Sequence, residues 1–140
     1  MKRYLLLAVC FLVLAALAAH FLSGSEPELD PEIVDVPPVQ TITATEGRGL
    51  MYDGTTYVLL DVRTKDEFYA LHIPGAILLP DTELADRIAT KVPDQDTRIL
   101  LYCRTGRRSA EAAMLLAELG YTHVYDMGGI VDWPYETVSG

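Results

Sequence analysis

Apolar positions along the chain fall into short runs that alternate with amphipathic segments. Most of the runs are continuously apolar rather than alternating, which is typical of strands in a parallel sheet covered on both faces. Alternating strands and helices predict an α/β fold with a mainly parallel central sheet of about five strands, flanked by helices. The five predicted strands are Thr41–Ala44, Tyr57–Val62, Ala76–Leu79, Arg98–Tyr102 and His123–Met127.

The segments between the predicted strands carry helical patterns. Thr64-Lys65-Asp66-Glu67 is a capping box that opens a short helix ending near Leu71. Residues Thr82–Val92 place their apolar side chains on one helical face, with the charged side chains largely off it. Ser109–Leu119 is rich in alanine and leucine, and Gly120 suits the position just past a helix end.

The first 22 residues differ in composition from the rest of the chain. Lys2 and Arg3 give a positive start, and residues 5–22 contain no Asp, Glu, Lys or Arg. This is the pattern of an export signal, with Ala16-Leu17-Ala18 as a cleavage site of the small-x-small kind. If it is not cleaved, the same apolar run just reaches spanning length and tethers the protein to the membrane. Both alternatives predict an exported protein, periplasmic or anchored in the inner membrane.

Residues 23–40 predict an extended linker, which is followed by a single domain over residues 41–140. The linker holds four of the eight prolines and five acidic residues, and no basic residue. Such a composition buries too little apolar surface to become ordered. Without Lys2 and Arg3, the 11 basic residues fall to 9 against 20 acidic ones, a net charge of −11. This balance argues against a nucleic-acid partner, because phosphates need a basic surface.

The strongest chemical signal is the thiol at the end of the fourth predicted strand. Cys103 ends an apolar run, and the helical pattern begins near Ser109. The amides at a helix start and nearby guanidinium groups stabilise a thiolate, so this arrangement predicts a reactive sulfur and an anion site. Gly106 allows the intervening loop to curl tightly. The predicted anion-binding residues are Arg104, Thr105, Gly106, Arg107 and Arg108.

A thiolate in that position can attack the outer sulfur of a donor and hold it as a persulfide until a second nucleophile removes it. If residues 1–22 are cleaved, Cys103 is the one remaining cysteine, so no internal disulfide is expected. A buried structural cysteine is the alternative. Because His and Cys residues do not cluster anywhere in the sequence, we expect neither a metal nor another cofactor.

Four segments in order, covering about 100 residues, resemble the rhodanese family of sulfurtransferases. The resemblance implies a single rhodanese domain in which Cys103 carries the sulfur and residues 104–108 cradle it. It also implies small sulfur-containing anions or protein persulfides as donors, and a thiol or cyanide as acceptor. The segments are Asp61-Val62-Arg63 with Glu67-Phe68, His72-Ile73-Pro74-Gly75-Ala76, Cys103 to Ser109, and Gly128-Gly129-Ile130-Val131-Asp132-Trp133.

The length of the loop separates this family from its main rivals. Related phosphatases place an arginine six positions after the cysteine, whereas Ser109 occupies that position here. The shorter loop favours a sulfur site, and a phosphatase or an arsenate reductase ranks well below. Thr105 stands where thiosulfate-specialised members often carry a basic residue, and Glu67 stands where two-domain members use an arginine. The sequence therefore leaves the natural donor open.

The roles of the neighbouring charged residues also stay open at this point. Asp61 and Arg63 either support the loop through hydrogen bonds or form a local pair at a strand end. Since Asp61 and Cys103 both end predicted strands, they are expected to face one pocket. Arg104 is expected to point outward towards an anionic donor. Arg108 either binds an anion with the rest of the loop or pairs with Glu111 one turn on.

Two functions other than enzymatic sulfur transfer are compatible with the same residues. One is a sulfur carrier or docking module that takes up one sulfur on Cys103 and releases it only to a specific protein. The other is a purely structural domain. The retained cysteine and the arginine-rich loop argue against this function, because folding requires neither of them.

Overall fold

The computed structural model describes residues 37–140, and the expected signal or anchor of residues 1–22 lies outside this range. None of the helices within residues 37–140 combines the length and the apolar character needed to cross a membrane. Short 3₁₀ turns occupy Asp81–Glu83 and Ile130–Asp132. The helices are α1 (Ala44–Met51), α2 (Lys65–Ala70), α3 (Leu84–Lys91) and α4 (Arg107–Glu118). The strands are β1 (Gln40–Thr41), β2 (Tyr57–Asp61), β3 (Ile77–Leu78), β4 (Arg98–Cys103) and β5 (Val124–Gly129).

The strands form one sheet in the order β1-β5-β4-β2-β3, and every pairing in it is parallel. This confirms the predicted parallel sheet flanked by helices. Strand β4 lies in the middle and pairs with β2 in a register that joins Leu60 to Leu101 and Asp61 to Tyr102. Its pairing with β5 shifts between Leu101 and Cys103, immediately before the predicted sulfur site.

Both faces of the sheet are buried, which explains the continuously apolar runs. Successive residues of a strand point to opposite faces, so Leu101 and Tyr102 belong to different parts of the core. On one face Leu60, Leu101 and Cys103 pack with residues of α3 and α4. On the other face Tyr102 packs in a second cluster that includes residues at the end of α1.

The predicted strand Thr41–Ala44 is wrong beyond its first residue. Thr43 is instead the N-cap of α1, a helix that the apolar pattern did not predict. The Thr43 hydroxyl accepts a hydrogen bond from the Glu46 amide, and the Glu46 carboxylate accepts one from the Thr43 amide. This capping box was a usable signal, but the glycines of α1 weaken its helical pattern. Gly47 faces Met127 of β5 so closely that a Cβ at this position would lie 3.0 Å from the methionine side chain, so α1 packs tightly on the sheet.

The other predicted helices are observed with small differences at their ends. The helix that opens at the Thr64 capping box is α2, Lys65–Ala70. The predicted helix Thr82–Val92 is a 3₁₀ turn followed by α3. Helix α4 begins at Arg107, two residues before the predicted Ser109, because Gly106 already acts as its N-cap.

Candidate active site

The loop after β4 places the Cys103 sulfur against the start of α4. Gly106 is the N-cap of α4 with a φ of 101°, in the left-handed region that favours glycine. Its amide donates a hydrogen bond to the Cys103 Sγ at 3.0 Å. No side chain caps this helix end. Helices α1 and α2 satisfy such amides with capping side chains, whereas here the Gly106 amide is directed to the sulfur.

Two opposing effects act on the Cys103 thiol, which belongs to a residue that is 1% exposed. Burial is the largest single influence and raises the pKa of the thiol. Hydrogen bonds from the amide and hydroxyl of Ser109 and from the amides of Gly106 and Thr105 lower it. Together they hold the pKa of Cys103 below its ordinary value. The sulfur is therefore biased towards the thiolate, the form that acts as a nucleophile.

The end of β5 forms the back wall of the loop. A Cβ atom on Gly129 would lie 2.5 Å from the carbonyl oxygen of Arg104 and 2.7 Å from Cα of Thr105. The Ser109 hydroxyl is 3.1 Å from the carbonyl oxygen of Gly106 and 3.3 Å from that of Gly128. Only glycine allows the chain at position 129 to approach the loop this closely. The consecutive glycines at positions 128 and 129 were the sequence signal for this contact.

The three arginines of the loop have different surroundings. Arg107 is exposed and pairs with Glu111 at 2.9 Å. Arg108 forms two hydrogen bonds with the carboxylate of Glu67, at 2.8 and 2.9 Å, so the alternative of a pair between Arg108 and Glu111 is wrong. The side chain of Arg108 turns towards α2, and Arg107 takes the exposed position one turn before Glu111. Arg104 is exposed and makes no ion pair with any residue between 37 and 140.

Glu67 takes part in both the capping box predicted from the sequence and a contact with the loop that the sequence did not predict. Its carboxylate does cap α2, accepting hydrogen bonds from the amide and hydroxyl of Thr64 at 3.0 Å. The hydrogen bonds from Arg108, and secondarily those from Thr64, lower the pKa of Glu67 to about 2, against an opposing effect of burial. Glu67 also raises the pKa of Arg108, and the charge of Cys103 does so to a lesser degree. Arg108 is thus paired with the carboxylate and lies within electrostatic range of the sulfur.

Asp61 and Arg63 form a buried local pair rather than direct contacts to the loop. The Arg63 guanidinium donates to both oxygens of Asp61, at distances from 2.6 to 3.1 Å, and to the carbonyl oxygen of Leu71 at 2.7 Å. The pair lies beside Tyr102, whose pKa is raised by burial and by Asp61. The expectation that Asp61 and Cys103 face one pocket is wrong. Asp61 is in register with Tyr102, and adjacent residues of β4 point to opposite faces of the sheet.

Comparison with known proteins agrees with this geometry. The profile of the Rhodanese-like domain family matches residues 43–135. The chain belongs to the rhodanese family. It is 42% identical over 81 residues to the thiosulfate sulfurtransferase PspE of Escherichia coli K12, covering 58% of this chain and 78% of that protein. A sulfurtransferase of Allochromatium vinosum is 35% identical over 82 residues, covering 58% of this chain and 75% of its own length.

Solved structures show the same relationship. An E. coli rhodanese with bound anions superposes with a TM-score of 0.58 at 40% identity, covering 61% of this chain and all of the other. A human single-domain sulfurtransferase superposes with a TM-score of 0.59 at 27% identity, covering 66% of this chain and 93% of the other. The protein is therefore a rhodanese-type sulfurtransferase.

The rhodanese domain has a surface depression of about 330 Å³ beside the loop, which we refer to as the mouth. Most of its lining is apolar, and Arg104 is the lining residue that follows Cys103 in sequence. This wall could not be predicted from the sequence, because apolar residues in a short helix and a 3₁₀ turn show no periodic pattern. The mouth is lined by Arg63, Glu67, Ala70, Leu71, Arg104, Ile130 and Val131.

Residues that could bind a metal ion do not form a cluster in the described part of the rhodanese domain. Within residues 37–140, no three His, Cys, Asp or Glu side chains lie close enough together to hold a metal ion. Cys103 is a free thiol in this part of the chain.

Proposed function

We propose that this rhodanese domain moves sulfane sulfur from a donor such as thiosulfate to a thiophilic acceptor through a Cys103 persulfide. The observation that carries the proposal is the hydrogen bond from the Gly106 amide to the Cys103 Sγ at 3.0 Å. The hydrogen bonds of Ser109 and Thr105, which also lower the pKa of the thiol, support it. The same donors can stabilise the charge that reappears on sulfur after the first transfer.

The proposed cycle has two steps that balance without a further oxidant or reductant. The Cys103 thiolate attacks the outer sulfur of thiosulfate, forming a new S–S bond. The S–S bond of thiosulfate breaks, and its electron pair leaves with sulfite. Cyanide, or a thiolate acceptor, then attacks the terminal sulfur of the persulfide and releases the original Cys103 thiolate. A protein persulfide can replace thiosulfate in the first step with the same change of bonds.

Two further observations support an anionic donor. The relative PspE is named as a thiosulfate sulfurtransferase, and it matches this chain over most of its own length. Arg104 directly follows the sulfur in sequence, lines the mouth and forms no ion pair within residues 37–140. A guanidinium in this state is free to hold a sulfonate oxygen through charge-assisted hydrogen bonds.

The test is the production of thiocyanate from thiosulfate and cyanide by the native protein and by Cys103→Ser. We expect the native protein to form thiocyanate and the variant to fall to the rate without protein. Because serine is close in size to cysteine, the thermal midpoint of the variant should stay near that of the native protein. Full activity in Cys103→Ser would exclude the mechanism. Uptake of one sulfur without any thiocyanate would instead indicate the carrier function.

We further propose that the protein is exported to the periplasm, either released or tethered through residues 5–22. The positive start at Lys2 and Arg3 and the uncharged run after it support this proposal. Fractionation of cells that express the full chain, followed by intact mass measurement, tests it. Recovery of the full-length chain in the cytoplasm would contradict export, and the mass of an exported form would show whether residues 16–18 are cleaved.

A further inference from the structure

The charges around the mouth nearly cancel. Arg63 is paired with Asp61, and Arg108 is paired with Glu67. Arg104 contributes the one positive charge at the mouth that no acidic residue within 37–140 compensates through an ion pair. Among the described residues at the mouth, the side chains thus leave one positive charge uncompensated. A donor with one negative charge matches this better than a donor with two.

Glu67 is the acidic residue of this set that itself lines the mouth. Its carboxylate belongs to the lining of the mouth and binds the Arg108 guanidinium through two hydrogen bonds. With a pKa of about 2, the carboxylate stays ionised at every pH at which a thiolate reacts. An anionic donor at the mouth consequently meets a fixed negative charge, and the charge of the nearby Arg108 is already compensated by Glu67.

The remaining wall of the mouth is apolar and accessible. Leu71 is 42% exposed and Val131 is 62% exposed, and Ala70 and Ile130 complete this wall. These side chains offer no hydrogen bonds to a second anionic group. They do gain free energy when they are covered by an apolar substituent, by about 25 cal/mol for each Å² removed from water.

From these contacts we propose that Glu67 determines donor specificity, selecting singly charged sulfane donors with an organic substituent over doubly charged thiosulfate. The inference rests on the proposed function and names the donor class of the same site, with organic thiosulfonates as its simplest members. Glu67 acts through its own charge and through Arg108, so it is a positioning residue and needs no contact with the reacting sulfur.

The chemical step is the same for the two donor classes. The Cys103 thiolate attacks the sulfane sulfur of R–SO₂–S⁻ and forms the persulfide bond. The bond between the sulfane and sulfonyl sulfurs breaks, and the electron pair leaves with the sulfinate R–SO₂⁻. With thiosulfate the leaving group is the dianion sulfite, so a neighbouring carboxylate repels both the donor and the product more strongly.

The experiment compares kcat/KM for thiosulfate and for benzenethiosulfonate, with cyanide as the acceptor, in the full chain and in Glu67→Gln. Glutamine keeps the shape of the capping group and removes its charge. We expect kcat/KM for thiosulfate to rise roughly fivefold, mainly through a lower KM, since one unit charge near the mouth is removed. The kcat/KM for benzenethiosulfonate should stay within about twofold of that of the native protein.

Two variants of the same side-chain type serve as controls. Glu46 occupies the equivalent position in the capping box of α1 but does not line the mouth, so Glu46→Gln should leave the ratio of the two donors unchanged. Glu67→Asp keeps the charge and should keep the preference of the native protein. A purely structural role of Glu67 would change both donors by the same factor.

A second substitution tests the apolar wall without altering charge. Val131→Ser should lower kcat/KM for benzenethiosulfonate several-fold and leave thiosulfate unchanged, because only the organic substituent contacts this wall. Met114→Ser, at a side chain of α4 that is 53% exposed and outside the lining of the mouth, is the matched control and should change neither value.

The outcomes separate the two proposals. An equal effect of Glu67→Gln on both donors, or the same effect from Glu46→Gln, would overturn the role of Glu67 while the persulfide mechanism stands. Absence of a Cys103 persulfide with either donor, seen by intact mass, would overturn the proposed function and this inference with it.

Discussion

Helices α1, α2 and α4 of the described domain differ in the groups that accept hydrogen bonds from the main-chain amides at their starts. Helices α1 and α2 each begin at a threonine whose hydroxyl and partner glutamate form a capping box. Helix α4 begins at Gly106 without a side-chain cap, and its nearby amides donate to the Cys103 sulfur. The comparison shows that amides left without a capping side chain are the ones available to an anion.

The two capping boxes also differ from each other. Glu46 accepts hydrogen bonds from Thr43 alone, whereas Glu67 accepts them from Thr64 and from Arg108 of the loop. The same Thr-x-x-Glu pattern is therefore a local feature in α1 and part of the site in α2. The parallel sheet causes the difference, because it places the ends of β2 and β4 side by side.

Gly129→Ala is expected to have the largest effect on the start of α4, the helix without a side-chain cap. The added Cβ would meet main-chain atoms of Arg104 and Thr105, so the loop must move and its amides must shift away from the sulfur. A displacement of about 1 Å can cost a factor of about 100 in rate, and we expect kcat/KM to fall by about that factor. We also expect a loss of about 1–3 kcal/mol in unfolding free energy from overpacking.

The matched control for this substitution is Gly49→Ala in α1, where a Cβ would meet nothing within 4 Å. Activity should be unchanged, and stability should increase by about 0.5–1 kcal/mol, because alanine is favoured in a helix. Native activity in Gly129→Ala would show that the positions of the loop amides do not matter.

The next effect concerns the reactivity of the thiol. Because the pKa of Cys103 is lowered, alkylation by iodoacetamide should reach half its maximal rate below the ordinary thiol pKa of about 8.5. The Ser109 hydroxyl is one of the groups that lower the pKa of Cys103, so in Ser109→Ala this pKa should rise and the rate profile should move to higher pH. Thr122→Ala, at the opposite end of the sheet, should leave the profile in place. A thiol that reacts only after unfolding would contradict the account.

A smaller effect, on stability at acidic pH, should distinguish Glu67 from Glu46. The pKa of Glu67 is about 2 in the folded protein and about 4.3 in an unfolded chain. A lowered folded pKa stabilises the fold above the unfolded value, and this contribution disappears as the pH falls from about 4.3 through about 2. Urea unfolding of Glu67→Gln should therefore show a weaker loss of stability over that range than the native protein.

Glu46→Gln should show a weaker change of the same sign, since the pKa of Glu46 is lowered only by hydrogen bonds with Thr43. Equal acid sensitivity of the native protein and Glu67→Gln would mean that the contact with Arg108 does not persist in solution.

The smallest effects are expected from the threonine caps themselves. Thr43→Ala and Thr64→Ala should each reduce the unfolding free energy by about 1 kcal/mol, the usual cost of losing an N-cap. Only Thr64→Ala should also change the ratio of the two sulfur donors, because Thr64 holds the carboxylate of Glu67. Equal donor ratios in both variants would remove the functional distinction between the two boxes.

Features set by neighbouring residues could be predicted from the sequence, and features set by distant contacts could not. The run that ends at Cys103 and the glycine at position 106 identified the strand, the loop and the helix start, because each depends on local chemistry. The contact of Arg108 with Glu67 joins residues 41 positions apart and was missed. Helix α1 was missed for a related reason, since its packing on Met127 outweighs the weak helix preference of its glycines.

The wrong expectation for Asp61 has a similar origin. Both Asp61 and Cys103 end strands, but only the register between β2 and β4 determines which side chains share a face. A change of one residue in register reverses the face, and the sequence of a parallel sheet buried on both sides does not specify that register.

The intact mass of the protein after exposure to a sulfane donor and removal of small molecules tests the central claim most directly. The account predicts a gain of one sulfur atom on the native chain, its loss on addition of cyanide, and no gain in Cys103→Ser. A mass that stays unchanged in the native chain, or a gain that persists in Cys103→Ser, would contradict a sulfur anion held by the loop amides.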